Sequence, residues 1–155
     1  MTKRLLIIGH IPSKNTKSLR DAVVEGAQHP DLDALTIDIR TPFEAQAEDV
    51  LNCDGVILGT TENLGYMSGA LKDFFDRCYY ALLEEKQGLP YGAYIRAGLD
   101  GTGTIRGIES IVTNGLRWKP ICPPVLCKGD WDDKFIEDTR ELGLLMAAGL
   151  DSGVF

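Results

Sequence analysis

The sequence has no apolar run approaching the roughly 20 residues that a membrane-spanning helix needs. Its first residues, Met1-Thr2-Lys3-Arg4, lead into a short strand-like run that lacks the cleavage pattern of a signal peptide. Basic side chains are outnumbered by acidic ones, 16 to 23, and the net charge of -7 disfavours nucleic acid as the main partner. We therefore expect a cytoplasmic protein that neither inserts into a membrane nor binds nucleic acid.

The sequence also lacks the usual signatures of metal binding and of nucleophilic catalysis. Its four cysteines form neither a Cys-x-x-Cys pair nor a zinc spacing, and most have apolar neighbours, which predicts buried structural thiols. A Gly-x-Ser-x-Gly elbow is absent, and no pairing of a nucleophile with a base is recognisable, which disfavours a hydrolase. We expect no metal and no catalytic side chain that acts as a nucleophile.

What the sequence does contain is a regular alternation of short apolar runs and amphipathic segments. Strands are predicted at residues 4–9, 34–39, 55–59, 91–97 and 120–126. Helices are predicted at residues 15–28, 42–51, 104–116 and 132–148, with another after residue 68. This order is typical of an α/β fold, and 155 residues with 44% apolar content suit one domain. We expect a single domain over residues 1–155 with a doubly wound, five-stranded parallel sheet of order 2-1-3-4-5 and helices on both faces.

The segment between the third strand and the third helix is the most informative part of the chain. A polar loop at residues 60–67 follows the apolar strand, and Ser68 is a predicted N-cap for the helix. Gly65 and Gly69 allow the backbone to approach a flat ligand closely. In sheets of this order the ligand lies at the carboxyl ends of strands one and three. The sequence therefore predicts a binding site for a planar ring at this loop.

The loop after the first strand is rich in hydroxyl and amide groups at the amino end of a helix. Backbone N–H groups and the helix dipole attract anions there, so the loop suits a phosphate. Lys14 and Lys17 add positive charge. Further hydrogen bonds are available from Ser13, Asn15, Thr16 and Ser18. The alternative is that Asn15 or Thr16 simply caps the helix.

The loop at residues 98–104 follows the fourth strand and can pass beside a bound ring. Its glycines, Gly101 and Gly103, together with Gly107 are similar to a dinucleotide fingerprint, but such a fingerprint follows the first strand of a fold. A tight turn with Thr104 as the cap of the fourth helix is the favoured interpretation.

Together, these three loops resemble those of flavodoxin-like FMN proteins, especially the NAD(P)H-dependent FMN and quinone reductases. The resemblance covers nearly the whole chain, although Lys14 stands where the TGNT-like sequence of flavodoxins has glycine. It implies that the first loop holds the FMN phosphate and that the second and third loops contact the isoalloxazine and ribityl. The implied cofactor-binding residues are Ser13, Asn15, Thr16, Ser18, Thr61, Glu62, Asn63, Leu64, Gly65, Tyr66, Met67, Asp100, Gly101, Thr102 and Gly103.

The same resemblance implies an oxidoreductase that passes electrons from NAD(P)H through FMN to a quinone, flavin or similar small acceptor. FMN carries this chemistry itself, so no catalytic side chain is required. The third loop lacks the aromatic stacking pattern of electron-carrier flavodoxins, which favours the reductase. A carrier flavodoxin that shuttles single electrons between protein partners is the alternative.

A receiver domain of the same fold is disfavoured, since it needs an acidic cluster after strand one and an aspartate at the end of strand three. Those places hold Gly9-His10 and Gly59-Thr60.

Two charged or titratable residues and one helix remain to be interpreted. His10 ends the first strand, where it is either a proton donor to a bound acceptor or an ordinary loop histidine. Arg96 ends an apolar strand, so it either reaches the ligand crevice, with a role towards the ligand or the nicotinamide phosphate, or pairs with an acidic group. The third helix is aromatic over more than one face, which favours a homodimer or homotetramer. Its aromatic residues are Phe74, Phe75, Tyr79 and Tyr80.

Overall fold

The computed structural model describes residues 2–32 and 35–155. The strands are β1 (Arg4–Gly9), β2 (Thr36–Arg40), β3 (Gly55–Asn63), β4 (Tyr66–Met67), β5 (Pro90–Ala97), β6 (Lys119–Pro120) and β7 (Val125–Lys128). The helices are α1 (Lys14–Ala27), α2 (Ala47–Leu51), α3 (Gly69–Leu82), α4 (Thr102–Glu109) and α5 (Lys134–Ser152). A π-helical turn, Ser110–Gly115, directly continues α4.

The sheet confirms the predicted parallel α/β architecture. Its order is β2-β1-β3-β5-β6, with β7 also pairing with β5 and β4 pairing antiparallel with β3. The numbering shifts from the predicted 2-1-3-4-5 because β4 is an additional short strand and the predicted fifth strand is divided into β6 and β7. The second strand was predicted to begin at Ala34, which lies outside the described residues.

The continuous apolar run of β1 is explained by helices on both sheet faces. Leu6 and Ile8 belong to the core under α2, α3 and α4, whereas Leu5 and Ile7 belong to the core under α1 and α5. Successive residues of a strand point to opposite faces, so a strand covered on both sides is apolar throughout. The same arrangement places the carboxyl ends of β1, β3 and β5 at one edge of the sheet.

Several element boundaries differ from the predictions, including that of the fifth helix, which was predicted over residues 132–148 and spans Lys134–Ser152. The third strand was predicted to end at Gly59, but β3 continues to Asn63 because β4 pairs with it. The fourth helix was predicted over residues 104–116, but α4 ends at Glu109 and continues as the π-helical turn. The second helix, predicted over residues 42–51, forms only at α2, Ala47–Leu51.

Helices α1 and α5 pack together through glycines. A Cβ atom at Gly26 would lie 1.9 Å from the Arg140 carbonyl oxygen, and one at Gly143 would lie 2.0 Å from the Val23 carbonyl oxygen. Each glycine therefore allows the backbone of the other helix to approach more closely than a side chain permits.

The cysteines occupy the buried positions predicted for structural thiols. Cys53, Cys78 and Cys127 are buried and Cys122 is half-buried, and all four are free. Burial raises the pKa of the Cys53 and Cys127 thiols to about 12, so both are protonated at neutral pH.

Helix α3 is less exposed than its aromatic sequence indicated. Phe74 and Phe75 are buried in the core, whereas Tyr80 is exposed and Tyr79 is half-buried. Of the four aromatic residues on which the predicted homodimer or homotetramer was based, Tyr79 and Tyr80 are thus the two at the surface. In the described part of the chain, no helix is both long and apolar enough to cross a membrane.

Candidate functional site

Three loops meet at the carboxyl edge of the sheet, after β1, β3 and β5. The first begins beside β3, where the His10 N–H donates to the Gly59 carbonyl oxygen at 3.0 Å. The second and third touch directly, because a Cβ atom at Gly103 would lie 2.0 Å from the Gly65 carbonyl oxygen. The structure therefore brings the three predicted loops to one edge of the molecule.

The first loop ends in a capping box that starts α1. The Thr16 N–H donates to the Ser13 hydroxyl at 3.2 Å, and the Ser13 N–H donates to the Thr16 hydroxyl at 3.0 Å. This reciprocal pair satisfies two backbone donors and fixes the first helical turn. Ser13, rather than Asn15 or Thr16, is the N-cap, which corrects the alternative interpretation of this loop.

The amino end of α1 still offers donors to an anion. Lys14 and Asn15 occupy the first two helical positions, where backbone N–H groups have no acceptor within a helix. Both residues are exposed. The Ser18 hydroxyl donates to the Lys14 carbonyl oxygen at 3.0 Å, and Lys17 pairs with Asp21 at 3.0 Å. Backbone N–H groups and the Asn15 amide are therefore the donors that this loop leaves available.

Alanine at position 13 will lower the free energy of unfolding by about 1 kcal/mol, because the Thr16 N–H loses its acceptor. Ser18→Ala is the matched control. The Ser18 hydroxyl donates only to the Lys14 carbonyl oxygen of the same helix, and alanine is the better helix former, so this variant should keep its stability. Urea denaturation of both variants measures the difference. Equal stability of the two variants would contradict the capping role of Ser13.

The second loop is a β-hairpin rather than an irregular loop. Its turn lies at Leu64 and Gly65, whose φ angles are 54° and 76°, as in the two-residue turns that join twisted strands. At its base, the buried Thr60 hydroxyl accepts the Ser68 N–H at 3.0 Å. The Ser68 hydroxyl in turn accepts the Leu71 N–H at 3.1 Å, which confirms Ser68 as the N-cap of α3. The hairpin is thus fastened to the start of that helix.

The tip of the hairpin packs on α4 through two glycines one helical turn apart. Gly103 lies under the Gly65 carbonyl, and the Tyr66 ring covers Gly107, where a Cβ atom would lie 2.5 Å from the ring. The Glu62 carboxylate accepts the Thr104 hydroxyl at 3.3 Å. Gly103 and Gly107 therefore let the hairpin approach the surface of α4 closely. Two of the three glycines that were similar to a dinucleotide fingerprint thus serve helix packing.

The third loop leads into α4 without a side-chain cap. Gly101 is the N-cap, with a φ of 83°, which corrects the prediction that Thr104 caps this helix. A glycine makes no side-chain hydrogen bond to the first N–H groups of α4, and Asp100 is exposed beside them. The Thr102 hydroxyl donates to the Asp100 carboxylate at 2.7 Å. The amino end of α4 is therefore a second helix start at this edge without a side-chain cap, and Thr102 is its exposed residue.

The predicted site residues differ in how much of them a ligand can reach. Met67 is 2% exposed and belongs to the core, and Thr16 is 4% exposed. Gly103 is covered by the hairpin, and Leu64 at the hairpin tip is fully exposed. The Thr61 hydroxyl donates to the Asn63 amide oxygen at 2.9 Å. The exposed members of the predicted set are Ser13, Asn15, Asn63, Leu64, Gly65, Tyr66, Asp100 and Thr102.

Tyr94 is a residue of this edge that the sequence did not indicate. Its ring lies across Gly59 and extends towards Gly9, where a Cβ atom would lie 2.9 Å from the Tyr94 hydroxyl oxygen. That hydroxyl is buried and has no hydrogen-bond partner among the described residues. Burial raises the pKa of Tyr94 well above its ordinary value. Gly9 and Gly59, which pair on the neighbouring strands β1 and β3, were the signal in the sequence for a large side chain above them.

His10 and Arg96 also reach this edge. Burial lowers the pKa of His10 below its ordinary value, so its imidazole is neutral at pH 7. The Arg96 Nη1 donates to the Ala97 and Cys127 carbonyl oxygens at 2.8 and 3.0 Å. Its guanidinium lies over the rings of Phe135 and Trp131, and it forms no ion pair with any carboxylate of the described residues. The predicted pairing of Arg96 with an acidic group was therefore wrong.

Known structures share this fold at low sequence identity. A flavodoxin from the domain Archaea superposes with a TM-score of 0.80 at 16% identity, covering 95% of this chain and 98% of that one. A WrbA-like flavodoxin from Agrobacterium tumefaciens superposes with a TM-score of 0.72 at 14% identity, covering 98% of this chain and 99% of that one. These structures confirm the flavodoxin-like fold.

Sequence comparison shows the family. A flavodoxin of Aquifex aeolicus (strain VF5) is 33% identical over 110 residues, which are 71% of this chain and 58% of that protein. The chain thus spans little more than half the length of this curated relative. The family of NADPH-dependent FMN reductases matches residues 2–106, which include all three loops. The protein therefore belongs to the NADPH-dependent FMN reductase family.

Proposed function

We propose that the protein binds FMN at the carboxyl edge of its sheet and transfers electrons from NAD(P)H through the flavin to a small acceptor such as a quinone or a second flavin. The observation that carries this proposal is the set of backbone donors at the amino end of α1, fixed by the capping box of Ser13 and Thr16. The matching family and the flavodoxin relative support flavin binding and oxidoreductase chemistry.

The donors at this edge suit the phosphate of FMN. The first N–H groups of α1 and the positive end of its dipole attract a phosphate dianion, and the exposed Asn15 amide adds a neutral donor. Ser13 and Thr16 hold the turn in shape through their mutual hydrogen bonds. We therefore assign binding to the backbone at residues 14 and 15 and to Asn15, and positioning to the two hydroxyl residues.

The ring of FMN would lie against the hairpin and the third loop, which touch each other at Gly65 and Gly103. Asn63 and Tyr66 of the hairpin and Asp100 of the third loop are exposed, and Asp100 directly precedes Gly101, the N-cap of α4. Backbone N–H groups there can stabilise negative charge on a reduced ring. When bound, FMN supplies the hydride and electron chemistry, and the residues of this chain bind and orient it. Met67 stays in the core and is not part of this proposed contact.

A carrier flavodoxin remains the second candidate, because the curated relative is named a flavodoxin and the net charge is -7. Turnover separates the two. A reductase oxidises NAD(P)H by itself when a small acceptor is supplied, whereas a carrier shows negligible oxidation without a protein partner.

A cytoplasmic location and a homodimer or homotetramer stay predictions.

The first test is titration of flavin-free protein with FMN and with riboflavin, which lacks the phosphate. FMN is expected to bind about a hundredfold more tightly, because hydrogen bonds to a charged group contribute roughly 1.5–3 kcal/mol each. Quenching of flavin fluorescence measures both affinities. Equal affinity for the two flavins would contradict the phosphate assignment, and failure to bind either would contradict the proposed function.

A further inference from the structure

The geometry points to Arg96 as a residue that binds a phosphate monoester of the ligand, separately from the amino end of α1. This inference rests on the proposed function and adds a specificity-determining residue to it. FMN has one phosphate, which the proposed function places at the amino end of α1, so the phosphate for Arg96 is the 2′-phosphate of NADPH. The matched ligand NADH lacks that one group.

The guanidinium of Arg96 is anchored by one of its two terminal nitrogens. Nη1 makes both hydrogen bonds, to the carbonyl oxygens of Ala97 and Cys127. The opposite edge, formed by Nε and Nη2, makes no hydrogen bond within the described part of the chain. That edge is the one that donates two parallel N–H bonds to a pair of oxygens. Arg96 therefore presents a fixed fork of the shape that phosphate requires.

The described surroundings of Arg96 fix the plane of its guanidinium but supply no carboxylate to pair with its charge. The guanidinium carbon lies 5.2 Å from the centroid of the Phe135 ring and 5.9 Å from that of Trp131. Aromatic faces attract a cation without neutralising it. A partly buried charge without a counter-ion is costly, and no carboxylate within residues 2–32 and 35–155 forms an ion pair with Arg96. An anion from outside the protein accounts for this arrangement.

The position of Arg96 in the sheet places the residue at the same carboxyl edge as the proposed site, with its guanidinium beside β7 and the start of α5. Arg96 pairs with Thr61 of β3, and paired residues of neighbouring parallel strands point to the same face. It also stands at the end of β5, shortly before the exposed third loop. β3 lies between β5 and β1, the strand that leads into α1. The fork and the amino end of α1 are therefore two separate phosphate positions along one edge.

The test uses two pairs of ligands on the flavin-free and the FMN-loaded protein. Affinities for FMN and riboflavin are measured by fluorescence. Those for the oxidised nucleotides NADP⁺ and NAD⁺, which differ by the 2′-phosphate and do not reduce the flavin, are measured by calorimetry. Arg96→Gln removes the fork, and Arg96→Lys keeps the charge but not the two parallel donors. Arg117→Gln is the control, because Arg117 is exposed beside β6 at the opposite end of β5.

Arg96→Gln is expected to lower the affinity for NADP⁺ about tenfold or more and to leave the affinity for NAD⁺ within about twofold. A loss of FMN affinity without a loss of NADP⁺ affinity would overturn the inference, because it would place the FMN phosphate at Arg96 instead of α1. Arg96→Lys should recover part of the loss, and Arg117→Gln should change neither ratio. Unchanged ratios in Arg96→Gln would overturn the inference while leaving the proposed function intact.

A measurement on the unsubstituted protein decides the matter if a variant does not fold. With ¹⁵N-labelled arginine, the Nε–H resonance of Arg96 is expected to shift when NADP⁺ is added and to stay in place when NAD⁺ is added. The spectrum of Arg96→Lys identifies that resonance by its absence. No shift with NADP⁺, in protein that binds it, would overturn the inference.

Discussion

Alanine at position 143 will lower the free energy of unfolding by about 3 kcal/mol or more, the upper end of the range for overpacked cores. The new methyl group would lie 2.0 Å from the Val23 carbonyl oxygen of α1. The Val23 carbonyl belongs to the helix backbone and cannot change rotamer as a side chain can, so α1 and α5 must move apart. Both helices cover the core that contains Leu5 and Ile7. Urea denaturation followed by far-UV circular dichroism measures the loss.

Gly69→Ala is the matched control for this prediction. Gly69 begins α3, and a Cβ atom there would meet nothing within 4 Å. Alanine is the better helix former, so this variant is expected to be as stable as the wild type or slightly more stable. A Gly143→Ala protein whose stability lies within about 0.5 kcal/mol of the control would show that the two helices do not approach as closely as described.

The sheet was predictable from the sequence because both of its faces are covered. A strand such as β1 then carries apolar residues at every position, and Leu5 to Ile8 are all buried. The alternation of such runs with amphipathic helices admits few topologies. The capping role of Ser68 was equally predictable, because an N-cap depends on a serine and the three residues after it.

The hairpin was not predictable, because its turn and its contacts give no local signal. Leu64 adopts a positive φ angle that asparagine or glycine usually supplies in such turns, and β4 has only two residues. The Thr104 hydroxyl, predicted to cap α4, instead reaches Glu62 across the hairpin. Contacts between residues so far apart in the chain become visible only once the sheet has been assembled.

The location of the candidate site was predictable from the sequence, but which of its side chains are accessible was not. The sheet order places the ligand loops at the carboxyl ends of β1 and β3, whatever side chains they carry. Which side chains remain reachable depends on packing, so Met67 lies in the core and Ser13 is the cap. The position of Tyr94 above Gly59, and the aromatic rings under Arg96, depend on elements that the sequence does not align with one another.

Alanine at position 103 will lower the affinity for FMN about tenfold or more, and the affinity for riboflavin by the same factor. The new methyl group would lie 2.0 Å from the Gly65 carbonyl oxygen, so the hairpin must lift from α4. The Tyr66 ring would then leave Gly107, and the second loop would shift relative to the third. A displacement of about 1 Å in a positioning element is enough for a large loss of ligand contacts.

Stability should fall by only about 1–2 kcal/mol, because the hairpin lies at the periphery and can yield. Gly98→Ala is the control in the same loop, since a Cβ atom there meets nothing within 4 Å and its φ angle is not positive. Fluorescence titration of both variants with FMN and riboflavin measures the effect. The equal loss for both flavins separates a displaced ring contact from a lost phosphate contact, for which only FMN binding weakens. Wild-type affinity for both flavins in Gly103→Ala would place the flavin away from the hairpin.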